Sequence, residues 1–439
     1  MKTGSSSISR RGFLSRSGAA GAGVGLLSAL NMNSAKAQDS KPVHVGAALP
    51  MSGPAAADGI EFKRGLELAA KEVNAAGGVL GRPVQIVVED TAEMGAANVS
   101  QAMQRLIDRS NVSAIINGYN IGTNMIELDV AADSDVIFVH YNTLILHNNK
   151  VKSDPNRYYG CFQGDPPEYW YGLGFPKFLR SLEADGAWKR PNNKLAVIPS
   201  ANEYSIVIAN AIRDTAKQYG FEISLYETVP FPNNHWGPVL AKLRDNPPAA
   251  IAVTHFLPQD LAQFMIEFVP NPTKSLVYMQ YGPSLPAFRQ IGGKAVNGTL
   301  YSTVIGALPD EFAKQFYADY QTAYGANSAA ITGSQTYQGL WHWVLAAAIA
   351  GGPGDARDGK QNRKVAKAML DLIYRGVNGT CHYIKGEQSA YCYPTQVSDP
   401  SLGMPHQYLQ HQDYTKPAVL VAPEIYKVGN FVLPPWIKA

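Results

Sequence analysis

Val43-His44-Val45-Gly46-Ala47-Ala48-Leu49 runs directly into Pro50-Met51-Ser52-Gly53-Pro54, and this stretch decides the fold. Seven residues with a single polar member read as a buried strand, and the Pro, Ser and Gly that follow read as its turn. Beyond the turn, residues 61–75 place Phe62, Leu66, Ala69, Ala70 and Val73 at helical spacing, and Gly77-Gly78 stops the run. An unalternating apolar strand followed by an amphipathic helix is the repeating unit of a parallel sheet with helices on both faces.

Working outward, the alternation continues. Strands are expected at 84–89, 114–117 and 136–140, with helices at 96–109 and 125–132. The pattern pauses at 148–174, which is rich in Pro, Tyr and Gly, and then resumes. Strands are expected at 194–199, 222–228, 250–254, 276–279 and 300–304, with helices at 204–219, 236–245 and 259–268. Two runs of one layout predict two similar α/β lobes. Three further helices follow at 309–324, 334–350 and 363–374, with an exposed loop at 351–360, and the tail from Val377 reads as short strands and turns.

The chain has 439 residues, 46% of them hydrophobic and 17% charged, which excludes disorder and suits about two domains. Five of the 38 basic residues lie before Ala37, where there is no acid; the remainder carries 33 basic against 35 acidic residues. So balanced a surface gives no electrostatic case for binding nucleic acid or an anionic membrane. Residues 1–37 read as an export leader of the twin-arginine kind. Arg10-Arg11 precede Phe13-Leu14, a short apolar stretch and Ala35-Lys36-Ala37. No later segment is long and apolar enough to span a bilayer, so a soluble mature protein beginning near Gln38 is expected. In an oxidising compartment, Cys381 and Cys392 could close a disulfide around Lys385-Gly386-Glu387, leaving Cys161 as a lone thiol. No phosphate loop, dinucleotide fingerprint, zinc-protease helix or nucleophile elbow occurs. Gly77-Gly78 follows a helix and precedes a strand, the reverse of a phosphate site at a helix N-terminus.

Several stretches together resemble a known family. They are Gly46 to Pro54 with Gly59, then Asn74-Ala75-Ala76-Gly77-Gly78-Val79-Leu80-Gly81-Arg82-Pro83-Val84, Asp90-Thr91, Gly118, Thr143, Tyr204 and Leu433-Pro434-Pro435-Trp436. In order and spacing, this set resembles the leucine/branched-chain amino-acid-binding proteins, the type I periplasmic receptors of ABC importers. The resemblance covers the whole mature chain. It implies two Rossmann-like lobes joined by three hinge crossovers, with the ligand held in the cleft between them. Crossovers are expected near Cys161, 282–301 and 376–383. One lobe would take 41–161 plus 302–376 and the other 162–301 plus 377–439. The resemblance further implies a periplasmic, monomeric receptor that delivers a small molecule to membrane permease subunits, with no cofactor and no metal.

Carried over residue by residue, the pocket comprises Asp58, Tyr119, Gly122, Thr123, Asn142, Thr143, Tyr204, Phe256 and Tyr281. Thr123 and Thr143 are expected as hydroxyl donors to the ligand, and Tyr204 as a stacking face. Where the family holds an acid for the ligand's ammonium, this chain has Tyr281. A buried ammonium without an anion is costly, so leucine loses its usual anchor unless Asp58 supplies the charge from the opposite lobe. The expected ligand is an amino acid or a related small amide or carboxylate. An aromatic acid or a urea is an alternative ligand. A soluble sensor or an enzyme on the same scaffold are alternative functions, and no motif supplies the nucleophile or base an enzyme would need.

Overall fold

The two faces of the opening strand pack into different cores. Val43, Val45, Ala47 and Leu49 join one apolar cluster while Ala48 joins another. The computed structural model describes residues 41–120, 123 and 125–438, so the leader lies outside the described residues. In the first half the chain forms β1 (Val43–Leu49), α1 (Ala56–Ala75), β2 (Val84–Asp90), α2 (Ala96–Asp108), β3 (Ala114–Ile116), α3 (Ile126–Asp133), β4 (Ile137–His140), α4 (Ile145–Ser153) and β5 (Cys161–Gln163). Its five strands are parallel in the order β2-β1-β3-β4-β5, with β1 and β2 in register from Val43 opposite Val84 to Leu49 opposite Asp90.

The second half follows with α5 (Tyr169–Ala184), β6 (Lys194–Ile198), α6 (Glu203–Ala216), β7 (Glu222–Tyr226), α7 (Gly237–Asp245), β8 (Ala250–Val253), α8 (Pro258–Phe268), β9 (Leu276–Gln280), α9 (Pro286–Gly292) and β10 (Leu300–Thr303). Then α10 (Glu311–Tyr324), α11 (Ala330–Ile349) and α12 (Gly359–Asp371) return to the first half. There Thr336 donates to the Phe62 carbonyl at 2.7 Å and the Tyr320 hydroxyl donates to the Glu61 carbonyl at 3.0 Å, fastening α11 and α10 to α1. The tail contributes β11 (Tyr374–Gly376), β12 (Gly379–Cys381), β13 (Cys392–Tyr393), β14 (Met404–Pro405), β15 (Gln407–Gln410), β16 (Val419–Ala422) and α13 (Pro435–Lys438). The second sheet runs β16-β15-β10-β9-β8-β6-β7, with β15 alone reversed, antiparallel to both β10 and β16. The expected pair of α/β lobes is therefore present. No helix among the described residues is long and apolar enough to cross a membrane.

Four readings of the sequence need correction. The pause at 148–174 contains β5 and the start of α5, hidden by Gly172, Gly174 and Pro176, which argue against a helix. Gly172 lets α5 lie against Ile208 and Ala211 of α6. The helix expected at 363–374 begins at Gly359, because the Asp358 carboxylate caps it by accepting from the Gln361 N–H at 3.1 Å. The crossovers also shift. The second leaves the sheet only after Thr303, and the third comes beyond Ser389, since that residue still bridges to Gln163 of the first sheet while Gln388 donates to the Tyr159 and Cys161 carbonyls. Finally, the Cys381–Cys392 bridge is not formed. All three cysteines are free and buried; the Cys381 Sγ points to the Gly164 carbonyl at 3.7 Å and the Cys392 Sγ to the Tyr393 carbonyl at 3.9 Å. Burial pushes both thiols up to about 12, so neither carries thiolate for oxidation at neutral pH.

Candidate functional site

Open α/β sheets present ligands at the carboxyl ends of their strands, where the loops are free to vary. Tyr119 follows β3; Tyr141, Asn142 and Thr143 follow β4; Phe256 follows β8; Tyr281 follows β9; and Ile305 follows β10. Tyr204 sits in the first turn of α6, whose start is fixed by Asn202 accepting from the Ser205 N–H at 3.0 Å. With Tyr171 and Gln335, these residues line a half-open cavity of about 40 Å³ shared by both halves of the molecule. Among the described residues, ten line it; six are aromatic, five of them tyrosines, and none is Lys, Arg or His.

Asp58 reaches the site because α1 begins immediately after the turn that follows β1. Gly59 makes this close start workable, since a Cβ there would lie 2.1 Å from the Pro50 carbonyl oxygen. The Asp58 carboxylate accepts from the Tyr119 hydroxyl and, at 3.4 Å, from Thr332 of α11. The Tyr281 hydroxyl lies 3.2 Å from Thr332 Oγ1, so a side chain on the second sheet meets α1 and α11 across the cavity. Desolvation raises the Asp58 carboxyl to about 6, against an opposing effect of its hydrogen bonds. Phe62 meets the Tyr119 ring edge-on at 5.3 Å and holds it toward Asp58.

Thr143 is held differently from what its sequence position suggests. Its hydroxyl donates to Asp165 Oδ2 at 2.6 Å, and its carbonyl accepts from the Glu168 N–H at 3.0 Å. Glu168 in turn accepts from the Ile145 N–H at 2.6 Å. Asp165 and Glu168 lie on the segment joining β5 to α5, fully buried, and burial raises both carboxyls, Asp165 to about 8. Asn142 donates from its amide to Glu127 Oε1 at 2.8 Å and accepts the Asn120 N–H at 2.6 Å. Thr143 and Tyr281 both occupy the left-handed backbone region, at φ 57° and 53°. For a β-branched and an aromatic residue that conformation is disfavoured by about 1 kcal/mol or more, and the surrounding hydrogen bonds hold it.

Of the residues expected from sequence, Tyr119, Asn142, Thr143, Tyr204, Phe256 and Tyr281 come together around the cavity. Asp58 stands behind Tyr119. Thr123 is buried with its hydroxyl 3.4 Å from the Asn120 carbonyl, away from the lining. Gly122 lies outside the described residues. The hydroxyl of Thr143 is engaged within the protein, with Asp165 Oδ2 at 2.6 Å and the Tyr141 carbonyl at 3.2 Å. Sequence reasoning missed Tyr171, Ile305 and Gln335. A signal for Gln335 was present: Thr332, Ser334, Gln335, Thr336 and Gln338 form a buried polar run on α11, and the Gln335 Nε2 has no hydrogen-bond partner. Among the described residues, no group of three or more His, Cys, Asp or Glu is placed to hold a metal ion.

Comparison with known proteins bears on this geometry. A family profile described as periplasmic binding protein matches residues 42–398. A Leu/Ile/Val-binding protein homologue of Brucella abortus is 24% identical over 263 residues, which cover 59% of this chain and 66% of that relative's length. A crystal structure described as a putative branched-chain amino acid ABC transporter from Silicibacter pomeroyi is 52% identical. It superposes with a TM-score of 0.86 over 90% of this chain and all of the other. The leucine-binding protein LivK of Thermotoga maritima shares the fold at 20% identity, with a TM-score of 0.67 over 87% of this chain and 98% of its own.

Proposed function

This chain belongs to the leucine-binding branch of the periplasmic binding protein family, and from that premise we propose that it is the substrate-binding receptor of an ABC importer. It would be exported, capture an amino acid or a related small amide or carboxylate between its two halves, and present it to membrane permease subunits. The supporting observation is the cavity at the carboxyl ends of both sheets, walled by side chains from each. Its aromatic surface buries flat apolar area while its hydroxyls fix orientation. A ligand touching both walls favours the closed arrangement by the difference in its affinity for open and closed forms. No acid–base pair is called on; capture and release are the whole cycle. Asp58, which stands behind Tyr119 and is hydrogen-bonded to it and to Thr332, would supply the charge that Tyr281 does not.

The test is a thermal-shift screen of amino acids, amides, ureas and aromatic acids, followed by solution scattering. A ligand at a hundred times its Kd should stabilise the protein by about 2.7 kcal/mol and reduce its radius of gyration. Tyr204→Ala, which removes a wall of the cavity, should weaken binding of whatever ligand emerges by at least about tenfold. Scattering curves that stay superimposable at saturation would contradict hinge closure. Export with removal of residues 1–37 is checked by intact mass of periplasmic protein, expected to begin at Gln38; retention of Met1 would count against it.

A further inference from the structure

Behind Tyr204, a chain of buried side chains runs away from the cavity, and the chemistry of its members fixes where each proton points. Gln280 ends β9, with Tyr204 Oη 3.2 Å and the Ser302 carbonyl oxygen 3.5 Å from its amide nitrogen. Tyr278 Oη lies 2.5 Å from its amide oxygen. A backbone carbonyl only accepts, so the amide atom that faces it is the nitrogen and the other is the oxygen. That oxygen carries no proton, so the single proton of Tyr278 goes to it. Toward Ser302 Oγ, at 2.6 Å, Tyr278 therefore accepts and Ser302 donates. With its proton so engaged, Ser302 accepts from His406 Nε2 at 2.9 Å. Burial holds His406 down to about 3, so at neutral pH it is the uncharged imidazole with its proton on Nε2.

At the cavity end, the two Gln280 amide protons go to the Ser302 carbonyl and to Tyr204, and Tyr204 accepts. Its own proton is left for the cavity that it lines. Tyr171, whose ring meets that of Tyr204 edge-on at 6.4 Å, has the same polarity. Its hydroxyl accepts the Val304 N–H at 3.2 Å and keeps a proton to give. Two neutral donors thus stand side by side on the second-half wall, and no Lys, Arg or His lines the cavity beside them.

We propose that Gln280, which does not itself line the cavity, is the positioning residue that makes Tyr204 a hydrogen-bond donor, so that Tyr204 and Tyr171 together receive an uncharged carbonyl oxygen of the ligand. This rests on the receptor reading and narrows its ligand. An amide or keto oxygen is matched by two protons, whereas an N–H turned to the same place finds hydroxyls already aimed at it. A glutamate at 280 would fill the same space but accept from both tyrosines, drawing the Tyr204 proton out of the cavity.

Two measurements test the proposal. Neutron diffraction from crystals of the deuterium-exchanged mature protein locates the protons without any variant. Deuterium is expected on His406 Nε2, on Tyr278 aimed at Gln280 Oε1, and on Tyr204 aimed away from Gln280. A Tyr204 deuteron aimed at Gln280, or a His406 deuterated on Nδ1 alone, overturns the relay. For the cavity, isovaleramide and isopentylamine, one carbon frame with and without the carbonyl, are titrated calorimetrically. The amide is expected to bind at least about tenfold more tightly. Gln280→Glu and Tyr204→Phe should each weaken the amide by about tenfold, and the double variant no more than Tyr204→Phe alone, since Gln280 acts through that hydroxyl. Additive losses overturn the positioning role; equal or tighter binding of the amine, or no binding of the amide, overturns the carbonyl assignment. If leucine compacts the protein while isovaleramide does not bind, the proposal fails and the receptor stands. If nothing in the wider screen alters the scattering, the receptor reading fails with it.

Discussion

Replacing Gly65 with alanine is expected to destabilise the protein by about 3 kcal/mol or more, a large effect for a single methyl group. On an exposed helix the same change would stabilise by up to about 1 kcal/mol, since alanine is the better helix former. Here α1 and α11 touch backbone to backbone. A Cβ at Gly65 would lie 2.0 Å from the Gly333 carbonyl oxygen and 2.6 Å from Thr336 Oγ1. Neither obstacle is the free end of a flexible chain, so the helices must move apart. That breaks the Thr336 bond to the Phe62 carbonyl and loosens the tyrosine contacts from α10. Because α1 carries Asp58 and α11 carries Thr332 and Gln335, the shift should also reach the cavity and weaken ligand binding. Guanidinium unfolding checks the magnitude. Gly237→Ala is the control: it lies at the start of α7, where the nearest atom to a new Cβ is 3.6 Å away, and it should be neutral within about 1 kcal/mol. Equal behaviour of the two variants would refute the packing argument.

The second large effect is a steep loss of stability in acid. Burial holds His147, His342 and His406 down to about 3 and His411 to about 4, with His140 also well below the usual imidazole value. A group whose folded pKa is depressed contributes stability above its unfolded value, near 6.5, and loses it as pH falls toward the folded value. Each imidazole should therefore withdraw roughly 1.4 kcal/mol per pH unit below 6.5. Asp58 and Asp165 act in the opposite sense. Their raised values, about 6 and about 8, make their contribution complete below the unfolded value of 3.8 and lost as pH rises through 6 and 8. Glu168 and Glu127, whose carboxyls burial also raises, act with them, so these acids offset part of the imidazole loss; stability should peak between pH 6 and 7 and fall on the acid side as the buried imidazoles protonate. His342 stacks on Tyr383 at 5.1 Å with neither ring nitrogen hydrogen-bonded, so His342→Phe should flatten the acid limb. Melting curves from pH 4 to 9 decide the matter, and a melting temperature level from 7 to 4.5 would be the wrong result.

Much of this architecture is legible from local pattern. The unbroken apolar run from Val43 and the glycine stop at Gly77-Gly78 announce a parallel βα unit without reference to distant residues. The loop residues of the site are legible for a related reason, since they follow strands whose ends can be read. What escapes is whatever depends on contact between remote segments. Helix α5 is unreadable because Gly172 is chosen by contact with α6 and Gly174 by contact with His406 and Tyr408, and Tyr171 was lost with it. Gln335 lies on a helix far along the chain, and only tertiary packing brings it to the cavity. The proton direction at Tyr204 escapes for the same reason: Gln280 is distant in sequence, and its amide is what leaves that hydroxyl free to donate.

The two left-handed residues at the cavity, Thr143 and Tyr281, have a consequence for anyone who sets out to toughen this protein. Glycine adopts that backbone conformation without the penalty that threonine and tyrosine bear. A library screened for heat resistance alone would thus tend to accept glycine at both positions, relaxing the backbone while stripping a hydrogen-bonding hydroxyl and an aromatic face from the cavity. Robustness and recognition pull in opposite directions at these two residues. A thermostable variant should therefore be engineered elsewhere in the chain, with 143 and 281 held fixed and every round of selection scored for capture as well as for survival.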